Sequence, residues 1–216
     1  MMMQSLSDVI VFDLDDTLYK EVSFVESGFK AVARHLGKLS YADEMMSAWK
    51  EGKNAFKQLI VRHSINVSIE GLLNIYRMHF PAIKLDPSTE ATLDMLSANG
   101  KILGIITDGR SLTQRNKIKA LSLSRWFADD NIIISEEFGS SKPEIRNYQF
   151  FMSKYPDLTY SYIGDNVAKD FVAPKSLGWH TICLKDDGEN VHSQDFSLYK
   201  EFLPEITIDH IKEIII

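Results

Sequence analysis

Residues 9–17 read VIVFDLDDT: four apolar residues, then Asp13, Asp15 and Asp16 around one leucine, then Thr17. Like charges this close repel one another, and burying them without a counter-charge is costly. An apolar run that ends on such a cluster therefore calls for a cation from outside the segment. The run itself is β-branched and aromatic with no polar alternation, the pattern of a strand covered on both faces.

Four further runs of the same character follow: ILGIIT (102–107), NIIIS (131–135), YSYIGD (160–165) and HTICL (180–184). Helical patterns fall between them. One covers 88–98, opening with Ser88 and closing at Asn99-Gly100; another covers 111–121, opening with Ser111; a third covers 144–154, behind Lys142-Pro143. Strand and helix alternate from residue 88 onward, which predicts an α/β fold with a doubly wound parallel sheet of five main strands. Such sheets bind ligands at the carboxyl ends of their strands.

Residues 19–87 break this rhythm. They contain no strand pattern, only helical stretches such as VESGFKAVARHL, DEMMSAWKEGKNAFKQLIVRH and IEGLLNIYRMHF, with Leu, Ile, Phe and Met recurring at helical spacing. A small all-helical insert of residues 19–87 is expected, set into a core domain of 1–18 and 88–216. Its Met and aromatic content reads as bundle core rather than a cofactor box, and the Lys/Glu-rich stretch 49–57 as an exposed helix face.

The 216 residues are 44% apolar, 25% charged and 11% aromatic, a composition that can bury a sizeable core. A net charge of −6 without a concentrated Lys/Arg stripe argues against nucleic acid as a partner and leaves small anionic substrates open. The lone Cys183 cannot form an intramolecular disulfide and reads as a small core hydrophobe. The start MMMQSLSD has no basic leader pattern, and no segment approaches the ~20 apolar residues of a membrane span. A cytoplasmic protein with no membrane partner is expected; the sequence carries no mark of its oligomeric state.

The chemistry gathers at strand ends. Asp13 and Asp15 follow the first run, Thr107-Asp108-Gly109 the second and Gly164-Asp165 the fourth. Singly, each has an ordinary explanation: a strand-end Asp caps the next helix, Thr-Asp-Gly is turn chemistry, and Lys-Pro opens a helix. Together they bring carboxylates, a hydroxyl and an ammonium to one crevice.

In this order the motifs resemble those of the haloacid dehalogenase-like hydrolases, chiefly Mg²⁺-dependent phosphatases. The first family motif, Asp-x-Asp-x-Thr/Val, stands as Asp13-Leu14-Asp15-Asp16-Thr17, and the second, an apolar strand ending in Ser/Thr, as Ile105-Ile106-Thr107. The third, a lysine often before proline, is similar to Lys142-Pro143, and the fourth to Gly164-Asp165 with Asp170 beyond. The resemblance implies a Rossmann-like core whose helical insert is a cap. It implies Mg²⁺ held by the Asp13 carboxylate, the Asp15 backbone carbonyl and Asp165, with Asp170 behind them tuning the metal or positioning Lys142. It makes Asp13 the nucleophile on phosphorus and Asp15 the acid and base. Lys142, the Thr107 hydroxyl and backbone N–H groups of Leu14, Asp15 and Asp108, with Gly109 adjoining, would bind the phosphoryl oxygens. Asp16 has no essential family role, glycine being common there, and reads as a solvated loop acid.

Electrostatics point the same way, because Asp13, Asp15, Asp165 and Asp170 facing Lys142 would repel a phosphate dianion unless a hard cation intervened. His35, His63, His79, His180, His192 and His210 form no ligand-spaced pair. Arg110 and Lys53 read equally well as solvated charges or as contacts to a leaving group. The implied function is phosphatase action on a small phosphorylated metabolite, a nucleotide, sugar phosphate or similar ester, with the cap closing to exclude water. Alternatives are a phosphomutase on the same core and a non-catalytic binding or regulatory protein on this fold. Dehalogenase chemistry is disfavoured, since a halide leaves without the proton that Asp15 would supply and the family's dehalogenases lack that second aspartate. Replacing Lys142 by Ala is expected to weaken phosphate binding and leave the fold largely intact.

Overall fold

The computed structural model describes residues 7–215; residues 1–6, read above for a leader, and Ile216 lie outside the described residues. Strand β1 (Val9–Phe12) is buried along its whole length, since Ile10 and Phe12 enter one apolar cluster while Val9 and Val11 enter another. It lies inside a six-stranded parallel sheet of order β3-β2-β1-β4-β5-β6. Its companions are β2 (Ile102–Thr107), β3 (Ile132–Ile134), β4 (Tyr160–Gly164), β5 (His180–Leu184) and β6 (Ile206–Ile208). The chain leaves β1 toward one edge through β2 and β3, then returns to β4 and runs to the other edge. This reversal opens a crevice at the carboxyl ends of β1 and its neighbours. The sixth strand adds to the five expected; it is three residues long with two of them exposed, so no apolar run announces it.

Four helices lie between β1 and residue 87: α1 (Glu21–His35), α2 (Tyr41–Lys50), α3 (Ala55–His63) and α4 (Ile69–Met78). The apparent long helix 43–63 is in fact two. Gly52 takes φ +70° after α2, and Asn54 caps α3 by accepting the Lys57 N–H at 2.9 Å. Residues 49–57 thus run from the end of α2 through a turn at 51–54 into α3 and are not one continuous exposed face, Ala55 and Phe56 among them being buried. The apolar stripes of these helices meet in a cluster of their own that includes Val25, Phe29, Val32, Met45, Phe56 and Leu72. Both ends of the segment are fastened to the layer beneath the sheet, where Tyr19, Phe24, Ile83 and Leu85 are buried.

The remaining helices are α5 (Pro87–Ala98), α6 (Ser111–Ala120), α7 (Ser135–Phe138), α8 (Arg146–Lys154) and α9 (Val172–Ser176). Helix α5 opens before Ser88, with Pro87 in its first turn and Asp86 accepting the Ser88 N–H at 2.8 Å. Helix α6 is tied to the end of α4: Thr113 Oγ1 donates to the Arg77 carbonyl at 3.1 Å and Asn116 Nδ2 to the His79 carbonyl at 3.2 Å. Among the described residues no helix is long and apolar enough to cross a membrane.

Candidate active site

Parallel register assembles the site. Phe12 pairs with Ile105 on β2 and Ile163 on β4, so Asp13, Thr107 and Asp165 emerge side by side just beyond those partners. The backbone continues the pairing, the Asp13 N–H donating to the Ile163 carbonyl at 2.8 Å. Asp13, Thr107, Lys142, Asp165 and Asp170 are all buried. Lys142 Nζ lies 2.8 Å from Asp13 Oδ1 and 2.8 Å from Asp170 Oδ1, and donates to the Tyr162 hydroxyl at 3.1 Å. The loop carrying Lys142 is fixed by Asp108, whose Oδ1 accepts the Lys142 N–H at 3.1 Å while its Oδ2 faces Lys169 Nζ at 3.3 Å. Gly164 admits Asp170 to this arrangement, since a Cβ there would lie 2.4 Å from Asp170 Oδ2.

Carboxylate oxygens of Asp13, Asp165 and Asp170 lie within 4.8 Å of one another. Three carboxylates gather around the Lys142 ammonium, and the imbalance shows in the proton affinities of Asp13 and Asp165. Burial, reinforced by the Asp170 charge, pushes Asp13 up to about 7; burial together with Asp13 and Asp170 pushes Asp165 up to about 8. Burial alone would lower Lys142, but Asp13 and Asp170 outweigh it and hold the ammonium well above its usual range. A buried set of oxygen donors with surplus negative charge fits a hard divalent cation such as Mg²⁺. Asp170 stands closer to this centre than the sequence reading placed it. Both of its oxygens are nonetheless engaged, Oδ1 by Lys142 and Oδ2 by the Asn166 N–H at 2.9 Å. Asp165 is oriented by Thr17 Oγ1 at 3.4 Å and Asn190 Nδ2 at 3.2 Å.

The Asp15 carboxylate turns away from this cluster toward α6. Its Oδ1 accepts from Lys117 Nζ at 2.7 Å and from the Tyr19 hydroxyl, and its Oδ2 accepts from Gln114 Nε2 at 2.9 Å. Burial alone would raise Asp15, yet the Lys117 charge and these donors hold it below the usual carboxylate value. Tyr19, Gln114 and Lys117 escaped the sequence reading. Gln114 and Lys117 sit in SLTQRNKIKA, where charged and amide side chains outnumber apolar ones and the natural assignment is solvent.

One expectation is corrected. Asp16 is not a solvated acid: it is 3% exposed, with Oδ1 accepting the Glu21 N–H at 2.8 Å and Oδ2 the Val191 N–H at 2.7 Å. Its φ of +54° is the left-handed conformation that glycine takes most readily, so the side chain must compensate by bracing the loop. The Gly109 N–H, for its part, donates to Ser135 Oγ at 2.9 Å.

The cavity above these groups measures about 100 Å³, with Asp13, Asp15, Glu21, Thr107, Asp165 and His192 in its wall. His192 is the histidine that reaches it, carried by the loop that Asp16 and Asn190 hold down. Lys53 pairs with Glu51 at 2.5 Å in the turn between α2 and α3, Arg110 lines a separate groove with Arg77, and Cys183 is buried.

The family model for haloacid dehalogenase-like hydrolases matches residues 10–184, from β1 through β5. The chain belongs to this family. A glyceraldehyde 3-phosphate phosphatase of Methanocaldococcus jannaschii is 28% identical over 225 aligned positions, covering 95% of this chain and 94% of the relative. A protein of the same name from Pyrococcus furiosus is 25% identical and covers 82% of this chain and 80% of its own. Among solved structures, the HAD-hydrolase YfnB of Bacillus subtilis, bound to magnesium, superposes with a TM-score of 0.68 at 19% identity, covering 95% of this chain and 96% of that one. A HAD phosphatase of Thermococcus onnurineus gives 0.55 at 20% identity over 93% of each chain. At these identities the structural likeness speaks for the fold.

Proposed function

We propose that the chain is a Mg²⁺-dependent phosphatase acting on a small sugar phosphate through an aspartyl-phosphate on Asp13, with residues 19–87 forming a cap over the site. The chain is a phosphoric monoester hydrolase by its family and by relatives named glyceraldehyde 3-phosphate phosphatase. That shared name and a cavity of about 100 Å³ favour a small ester over a nucleotide.

The observation that carries the mechanism is the Lys142 ammonium, 2.8 Å from Asp13 and 2.8 Å from Asp170, beside the Thr107 strand end. Asp13 attacks phosphorus as the bond to the leaving oxygen breaks; water then cleaves the acyl phosphate and regenerates the carboxylate. Lys142 and Thr107 stabilise charge on the phosphoryl oxygens, and Asp170 keeps Lys142 in place. Asp15 in its protonated form gives its proton to the leaving oxygen and, now ionised, takes one from the attacking water, which reloads it for the next turnover; the Lys117 charge and its other donors favour the ionised form that the second step uses. Mg²⁺, held by the Asp13 carboxylate, the Asp15 carbonyl and Asp165, would supply the positive charge that admits a phosphate dianion.

A phosphate-release screen tests this reading, with glyceraldehyde 3-phosphate, glycerol 3-phosphate, phosphoglycolate and a nucleoside monophosphate, each with Mg²⁺ and with chelator. Release from the triose esters that requires Mg²⁺ is expected. No release from any ester, or full turnover in chelator, would overturn it.

A further inference from the structure

We infer that Gln114 and Lys117, on one face of α6, are positioning residues that set the Asp15 carboxylate and the Thr107 hydroxyl for the reaction. This inference rests on the phosphatase reading above and deepens it.

Residues three apart on a helix are neighbours on its surface, and here that shared face is buried against the catalytic loop rather than exposed. Gln114 Nε2 carries two hydrogens and has two acceptors, Asp15 Oδ2 at 2.9 Å and Thr107 Oγ1 at 2.6 Å. The orientation of the amide is fixed chemically: an ionised carboxylate can only accept, so nitrogen must face it. With Thr107 Oγ1 accepting from Gln114, the hydroxyl hydrogen is left to point elsewhere, which suits donation to a phosphoryl oxygen. One amide thereby aligns two groups that have to act on the same phosphate.

Lys117 completes the clamp. Its side chain is 4% exposed, an expensive placement for an ammonium unless it is paired. The pairing is with Asp15 Oδ1 at 2.7 Å, while Glu21 Oε1 is 4.0 Å away and the Phe24 ring lies beneath the ammonium at 4.3 Å. Glu21 and Phe24 belong to α1, so the ammonium that fixes Asp15 is itself seated on the insert. Among the described residues, neither Gln114 nor Lys117 lines the cavity, whose wall here is Asp15, Glu21 and Thr107. Both therefore act through the residues they hold and not on the substrate.

The test is a double-mutant cycle read on two esters. Lys117→Met and Gln114→Leu are made in the wild-type and Asp15→Asn backgrounds, and kcat and KM are measured with glyceraldehyde 3-phosphate and p-nitrophenyl phosphate, alongside thermal unfolding. General acid–base help contributes about 10²–10⁴-fold, and a misplaced Asp15 should forfeit roughly 10–10²-fold of it. Lys117→Met is expected to lower kcat/KM, which reports the step that expels the leaving group, by that factor on the alkyl ester and far less on the nitrophenyl ester, while kcat falls on both because hydrolysis of the phosphoenzyme needs Asp15 as base. In the Asp15→Asn background the same substitution should cost little more. Gln114→Leu should slow both esters, since Thr107 is released too, with the alkyl ester still the more affected. Equal losses of kcat/KM on both esters for Lys117→Met, an undiminished loss without Asp15, or wild-type rates would each overturn the assignment. Failure of the phosphatase reading looks different, because wild type itself would then release no phosphate from either ester, and the inference would fall with it.

Discussion

Lys142→Met removes the ammonium paired with Asp13 and Asp170 and keeps the length of the side chain. In the intact protein Lys142 Nζ sits 2.8 Å from both Asp13 and Asp170, with its side chain fully enclosed. Removing one partner of a buried ion pair costs about 3–5 kcal/mol, because the remaining charge is left unpaired. For a chain of this length roughly 2–4 °C accompanies each kcal/mol, so melting should fall by roughly 6–20 °C in chelator at about pH 8. The sequence-level expectation of a largely undisturbed fold gives way to the geometry here. The deficit has a predictable sign with pH: the orphaned Asp13 carboxylate takes up a proton more readily in the folded state, so its cost is fully felt above its raised pKa and fades as pH falls. Thermal unfolding followed by circular dichroism at about pH 8 and about pH 5.5 measures this directly. A variant melting within about 2 °C of wild type at the higher pH would refute Lys142 as the counter-charge.

Mg²⁺ must displace the protons held by Asp13, raised to about 7, and Asp165, raised to about 8, so calorimetric affinity should climb from about pH 6 to about pH 8.5 and then level; a flat profile would contradict that donor set. Gly164→Ala places a Cβ 2.4 Å from the pinned Asp170 Oδ2, and should cost about 1–3 kcal/mol in denaturant unfolding together with much of the activity; an unchanged midpoint would show that Asp170 can yield. Asp16→Ala strips acceptors from the N–H groups of Glu21 and Val191 and should cost about 1–3 kcal/mol for each donor left buried, with faster hydrogen exchange in the 186–195 loop; unaltered exchange there would remove Asp16 as its brace.

The sheet was readable because VIVF, ILGIIT and their kin owe their uninterrupted apolar character to burial on both faces, a local consequence of the global arrangement. Asp13, Thr107 and Asp165 were readable for the same reason: each is the first polar break after such a run, and parallel register then brings those breaks together. Asp16 was misread because its partners are the Glu21 and Val191 backbones, and the second is supplied by a polar loop with no periodic signal. Gln114 and Lys117 were missed because helical patterning assigns polar residues to water, whereas here they are buried to serve another polar group. The break between α2 and α3 did carry a signal, Gly52 followed by Asn54, which the strong apolar spacing on either side concealed. Strand β6 was too short and too exposed to stand out.

The account turns on Asp13 as the phosphate acceptor, and its most direct test is to trap the phosphoenzyme. Asp15→Asn protein mixed with Mg²⁺ and p-nitrophenyl phosphate should complete the first step, whose leaving group needs no proton, and stall for want of a base in the second. After rapid acid quench, reductive trapping and peptide mapping should place the modification on Asp13, and Asp13→Asn should abolish it. A phosphoryl group found on another side chain, or none under conditions where nitrophenolate is released in a burst, would contradict the account.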